Sequence, residues 1–232
     1  MEAMQIQTSH IVPATVAQDL DSVEVAIAAI ARGEFVVVID DEDRENEGDL
    51  IMAASAMTPA AMAFMVRHTS GVVCVSMPGS VLDRLALPLM VEANTESYRT
   101  AFTVSVDACA GITTGISAAD RTATIRAMAD PSSGPTDFAR PGHVFPLRSR
   151  PGGVLERPGH TEAAQDLVQM AGRGIGGVLC EVVNDDGSMA RRADLIRFAA
   201  KHRLTMISIA QLVAFRRVAA APANTQAVVP AL

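Results

Sequence analysis

The sequence predicts a single α+β domain, a mixed β-sheet with covering helices in an α/β sandwich. Three observations lead there. Short apolar runs and capped amphipathic stretches follow one another along the chain, but they alternate loosely and their connections differ widely in length, unlike a regular doubly wound fold. Hydrophobic residues make up 49% of the 232, ample for a sizeable core. No linker divides the chain, so we expect one domain over residues 1–217 and a disordered, Ala/Pro-rich tail over 218–232.

Each element has a local reason. Residues 1–13 lack periodicity and read as a loose arm. Asp21, followed three positions later by Glu24, marks a helix start ahead of Val25, Ile27, Ala28 and Ile30, and Gly33 closes it. The run 35–39 (FVVVI) is apolar throughout and predicts a strand buried on both faces. After an acidic stretch, 50–54 resumes as a second strand. Pro59 opens a helix to His68, 71–77 (GVVCVSM) predicts a strand, and 78–87 a short helix. A strand is expected at 101–106 (AFTVSV), and Ser117 and Asp120 cap a helix that Asp130-Pro131 stops. Residues 131–160 hold six of the twelve prolines and three Arg-Pro-Gly tripeptides, and read as connection. A helix at 161–171, a strand at 177–183, a helix at 188–202, a strand at 204–207 and a helix at 209–217 complete the order.

The totals exclude several function classes. A formal charge of −7 argues against nucleic-acid and anionic-membrane partners. With no Trp and one Tyr, a base-stacking platform is not expected. Cys74, Cys109 and Cys180 are odd in number and far apart, which fits neither a disulfide framework nor a zinc knuckle. Without a signal peptide or an apolar run near 18 residues, we expect a cytoplasmic protein.

Two motifs fail on context. The glycines at 172, 174 and 177 fit G-x-G-x-x-G, but a helix precedes them and a strand follows, the reverse of a dinucleotide site. Asp43, Glu45, Glu47 and Gly48 half-fit a calcium loop, but position 12 is Ala54 rather than a bidentate Glu.

Three separated pieces carry chemistry. Seven of the 26 acidic residues fall within 40–49 (DDEDRENEGD), either a solvated turn or carboxylates compensated by a hard cation such as Mg2+. In an extended segment Glu45, Glu47 and Asp49 share a face, beside Arg44. The second piece is Arg157-Pro158-Gly159-His160-Thr161. Thr161 is a candidate N-cap, and free backbone N–H groups with Arg157 suit a phosphate, while His160 can complete a metal site. The third is Glu181 within the apolar run 178–183, either solvent-facing or buried and poised for proton transfer; His143 is a candidate acid/base on similar terms. Together they suggest a metal-dependent enzyme acting on a sugar phosphate.

The runs DDEDRENEGDLI, TTGISAADRTATIRA, RPGHVFPLR, RPGHTEAA and GVLCEVVNDDGSMAR, collinear over roughly 20–215, resemble the 3,4-dihydroxy-2-butanone 4-phosphate synthase family of riboflavin biosynthesis. The resemblance implies conversion of D-ribulose 5-phosphate to L-3,4-dihydroxy-2-butanone 4-phosphate and formate, with two Mg2+ (or Mn2+) ions and a homodimer whose active sites lie near the interface. It further implies Glu45 and His160 as metal ligands. Arg44, Glu45, Asp49, Arg157, Pro158, Gly159, His160, Thr161 and Glu181 match substrate-contacting positions, and His143 and Glu181 match positions essential for catalysis. Glu47 and Asp49 are further proton-transfer candidates. Some relatives fuse a GTP cyclohydrolase II domain; the clustered cysteines of that zinc enzyme are missing here, so a monofunctional chain is expected. The alternative is a non-catalytic phosphosugar-binding protein, which the intact residues at 143 and 181 disfavour.

Overall fold

The computed structural model describes residues 20–220. In chain order the elements are α1 (Val23–Arg32), β1 (Val36–Ile39), β2 (Gly48–Ala53), α2 (Pro59–His68), β3 (Cys74–Pro78), α3 (Gly79–Arg84), β4 (Val106–Ala108), α4 (Ala118–Ala129), β5 (Phe138–Ser149), α5 (His160–Met170), β6 (Gly177–Glu181), α6 (Arg192–His202), β7 (Thr205–Ser208) and α7 (Ile209–Ala220). The strands form one seven-stranded mixed sheet in the order β4-β5-β3-β6-β2-β1-β7. The β3–β5 and β1–β7 pairs are parallel and the others antiparallel.

The continuous apolar runs follow from two covered faces. Val37, Ile39, Leu50, Met52, Val75, Met77, Val178 and Cys180 pack with α2, α3, α4 and α6. Their alternates Val36, Val38, Ile51, Ala53, Cys74, Leu179 and Ile207 pack with α1, α5 and α7. The sheet is therefore the middle layer of a sandwich. Asp49 and Glu181 share their parity with Ile51 and Leu179 and are register partners across β2 and β6, which puts both carboxylates on the α5 side.

The structure corrects several boundaries. Residues 138–149 are not connection but a twelve-residue strand, β5, joining β3 to β4. Pro141 and Pro146 disguise it, since proline lacks the donor a central strand normally uses. Pro146 still accepts from the Thr103 N–H through its carbonyl, the ladder shifts register between Val106 and Asp107, and the Arg140–Pro141 peptide is cis. The strand expected at 101–106 reduces to isolated bridges at Phe102 and Thr103, and β4 starts only at Val106. The helix expected from 188 starts at Arg192, because Asn184 and Ser188 close a turn on each other. Ser22 rather than Asp21 caps α1; Asp21 instead accepts from the Met206 N–H, tying the helix start to β7. The last helix continues to Ala220, and the rest of the 218–232 tail and the arm at 1–13 lie outside the described residues.

Candidate active site

Arg44, Glu45, Glu47, Asp49, Arg157, His160, Thr161 and Glu181 line one cleft, at the sheet end where α5 begins. Its first wall is the acidic loop, which is organised by Asp40. That side chain is 1% exposed; Oδ2 accepts from the Glu45 N–H (2.8 Å) and Arg44 Nη1 (3.0 Å), and Oδ1 from the Glu47 N–H (2.8 Å). Asn46 takes the left-handed conformation (φ 54°), tolerated by Asn, and Arg191 on the far side donates to the carbonyls of Glu45 and Asn46. Glu45, Glu47 and Asp49 thus converge through a wound loop, not as alternate residues of one strand. The strand begins only at Gly48.

The second wall is the start of α5. The N-cap is Gly159, not Thr161, and no side chain caps it, which leaves the first-turn N–H groups facing the cleft side of Thr161. Thr161 is buried, and its carbonyl accepts from Ser76 Oγ. Gly159 lets both arginines approach: a Cβ there would displace Arg157 Nη1 and lie 3.1 Å from Arg44 Nη2. Two guanidinium groups and a helix N-terminus therefore bound a small gap suited to an anion. Arg157 is held from behind by Glu162 (2.7 Å), whose side chain is 1% exposed.

His160 is buried. Nε2 lies 3.1 Å from the Val38 carbonyl, which can only accept, so Nε2 carries a proton and Nδ1 faces Glu45 Oε2 (3.3 Å) and Asp49 Oδ1 (3.9 Å). Burial opposes charge on His160, but Asp49, the bond to Glu45 and Asp40 outweigh it and raise its pKa to about 9. Burial, with Glu181, Glu45 and Glu47 adding to it against the opposing His160, raises Asp49 to about 7. Burial and the charges of Glu45 and Glu181 raise Glu47. For Glu45 burial is outweighed by the hydrogen bond to His160 and the charges of Arg44 and His160, and its pKa is lowered.

The donor set suits a hard cation. Ligand atoms of Asp40, Glu45 and His160 lie within 4.8 Å of one another. The buried Asp49 Oδ1 has no hydrogen-bond partner among the described residues, and an orphaned acceptor amid carboxylates is what a cation would satisfy. Both Asp40 oxygens already hold loop N–H groups, so Glu45 and His160 are the freer ligands.

Glu181 sits at the end of β6, not mid-strand, and accepts from Ser70 Oγ at 2.6 Å. His143 does not line the cleft. It lies on β5, four residues before the cleft residue Leu147 and so roughly 13 Å along the strand. There it is 2.6 Å from Asp107 Oδ2 through Nδ1, and its N–H donates to Asp107 Oδ1. Sequence reading missed Asp107, Ser70 and Glu162, and also Glu96 and Thr100, which line the cleft, with Tyr98 between them; this segment carries no periodic pattern.

Residues 24–215 match the family model for 3,4-dihydroxy-2-butanone 4-phosphate synthase. A protein of that name from Agrobacterium fabrum is 59% identical over 193 residues, covering 83% of this chain and 91% of its own. The riboflavin biosynthesis protein RibBA of Rhodococcus jostii is 59% identical over 199 residues, 85% of this chain but 48% of that protein, so the chain spans about half of that longer relative. A crystal structure of a 3,4-dihydroxy-2-butanone 4-phosphate synthase in complex with two magnesium ions superposes with a TM-score of 0.83 at 42% identity, over 86% of this chain and 98% of the other.

Proposed function

This chain belongs to the 3,4-dihydroxy-2-butanone 4-phosphate synthase family of riboflavin biosynthesis, and from that premise we propose that it converts D-ribulose 5-phosphate to L-3,4-dihydroxy-2-butanone 4-phosphate and formate. It acts as a lyase and requires divalent cations, Mg2+ or Mn2+, in the number that the related crystal structure contains, two. One observation carries the reading: carboxylates, a buried histidine and an anion gap between two arginines open into the same cleft. Glu45 and His160 would hold a metal ion. When bound, the cations stabilise negative charge developing on oxygens beside the substrate carbonyl.

The chain's own groups do the rest. Arg44, Arg157 and the N–H groups at His160 and Thr161 bind the phosphate, while Pro158 shapes the turn in which the Gly159 N–H donates to the Arg157 carbonyl. This fixes the sugar carbons against Glu47, Asp49 and Glu181. The reaction removes the C3 proton, expels the C1 hydroxyl as water, rearranges the skeleton and takes up one water again to release C4 as formate, so that no water is gained or lost overall. It therefore needs groups that both take and return protons near neutral pH. Asp49, raised to about 7, meets that requirement; Glu47 lines the same cleft, its pKa raised by burial and by the charges of Glu45 and Glu181, and Glu181 lies across the strand pair from Asp49. The Asp107–His143 pair is a ready acid/base unit outside its own cleft, which supports a homodimer in which a second copy supplies it near the shared interface. We place the enzyme in the cytoplasm; among the described residues no helix is long and apolar enough to cross a membrane.

Purified protein given ribulose 5-phosphate and Mg2+ or Mn2+ is expected to release formate in a 1:1 ratio to the ketone phosphate. Glu45→Ala and His160→Ala are expected to abolish metal-dependent turnover with the fold intact by circular dichroism. Formate absent with both metals would leave a phosphosugar-binding protein, and wild-type turnover in either variant would remove the metal assignment.

A further inference from the structure

We propose that Tyr98 is a positioning residue that sets Arg44 and Arg157 as a two-guanidinium clamp for the phosphate group of the substrate. The inference rests on the reading of the cleft as a sugar-phosphate site and adds the element that arms it.

Among the described residues, Tyr98 is the one seen to hold both arginines. Its ring lies under Arg44, with Cζ 4.9 Å from the centroid, and its hydroxyl donates to the Arg44 carbonyl at 2.6 Å. Its own carbonyl accepts from Arg157 Nε (3.3 Å) and Nη2 (3.1 Å), and neighbouring Thr100 Oγ1 accepts from Nη2 at 3.1 Å. The two guanidinium groups meet at the space left by the missing Cβ of Gly159. Like charges that close repel, so each must be restrained. Carboxylates pair with each: Asp40 and Glu45 with Arg44, Glu162 with Arg157. A neutral ring face and a carbonyl orient the cations without a full negative charge.

The segment carrying Tyr98 is built to be firm. Glu96 accepts from the Tyr98 N–H through Oε1 and from the Thr100 N–H through Oε2, both at 2.8 Å. Asn94 Nδ2 donates to the Thr100 carbonyl at 2.9 Å. Tyr98 itself is 39% exposed, more than core packing would require. Its contacts go to the two arginines rather than to the hydrophobic core.

Because Tyr98 is the only tyrosine and the chain has no tryptophan, aromatic emission reports this residue directly. Inorganic phosphate is the probe. Titrated into the wild-type protein, it is expected to change tyrosine emission saturably, with a midpoint equal to its inhibition constant against turnover. Tyr98→Phe keeps the ring and loses the hydroxyl bond, and should raise KM and the phosphate inhibition constant about threefold. Tyr98→Leu removes the ring as well and should raise both about tenfold or more, with kcat changed less. Melting temperatures are read alongside. If both variants melt earlier while KM and phosphate inhibition stay at wild-type values, Tyr98 is merely structural and the proposal falls. It also falls if emission stays flat while phosphate saturates inhibition. Failure of the sugar-phosphate reaction is distinguishable: phosphate binding followed by calorimetry that weakens in Tyr98→Leu without any wild-type turnover supports the clamp and overturns only the proposed reaction.

Discussion

Burial pushes the Asp49 carboxyl up to about 7, and Oδ1 has no hydrogen-bond partner among the described residues. A folded-state pKa above the ordinary Asp value means that the folded chain holds the proton more tightly than the unfolded one. The group's contribution to stability then falls as pH rises from about 4 to about 7 and is level beyond that. Asn has the same shape and cannot ionise. In metal-free protein Asp49→Asn should match the parent near pH 4 and exceed it by up to a few kcal/mol at pH 8, while losing turnover. Denaturant unfolding with chelator at both pH values checks this, and equal stability at pH 8 would count against it. His160 runs in the same direction over a higher window: its pKa is raised to about 9, so its pairing is fully stabilising below the ordinary His value and that contribution is lost as pH rises through about 9. At this scale the acidic loop and the Arg-Pro-Gly-His-Thr run were legible because their functional groups lie within a few residues of one another. Tyr98 and Asp107 were not, because their meaning lies in partners 54 and 36 residues away.

Helix α5 carries His160 and Thr161 at its start and lies across the sheet, and its approach is set by Gly177 of β6. A Cβ at Gly177 would lie 2.6 Å from both the carbonyl carbon and the oxygen of Ala164, which are backbone atoms with no rotamer to yield. Gly177→Ala should push α5 off the sheet, at a cost of about 1–3 kcal/mol by overpacking. It should also separate His160 from Glu45 and Asp49, so calorimetry should show weaker Mn2+ or Mg2+ binding together with a lowered melting temperature. Unchanged metal affinity would mean that the loop, not the helix, sets the site. The G-x-G-x-x-G pattern thus has a packing purpose: Gly172 and Gly174 are left-handed turn residues after α5, and Gly177 lets β6 approach it. The same scale explains the missed strand. Continuous apolar runs identified β1, β2 and β6 because both faces are covered, whereas β5 exposes Ala139, Arg140 and Pro141 and pairs through carbonyls where its prolines lack donors.

For the whole molecule, the question is where His143 acts. It stands with Asp107 on the β4–β5 edge of the sheet, about 13 Å from its own cleft along β5. In the proposed homodimer the His143 of one copy serves the cleft of the other. His143→Ala and Glu45→Ala, each inactive alone, should then complement after subunit exchange. Half of the randomly mixed dimers carry one intact site of two, which restores about a quarter of wild-type activity. No recovery, with exchange verified by mass, would place His143 in its own subunit's chemistry.

The sequence by itself determined the class of the fold, because two apolar faces per strand and capped amphipathic helices are local patterns. It also marked the loops that the fold brings to one cleft, since carboxylates this dense call for a compensating charge. Only the tertiary structure decided the rest: that Asp40 winds the loop, that Gly159 rather than Thr161 opens α5, that Asp49 faces Glu181 in register, and that His143 stands apart. Those facts depend on strand register, helix approach and a segment crossing the cleft. Such relations join residues distant in sequence, and no short-range pattern encodes them.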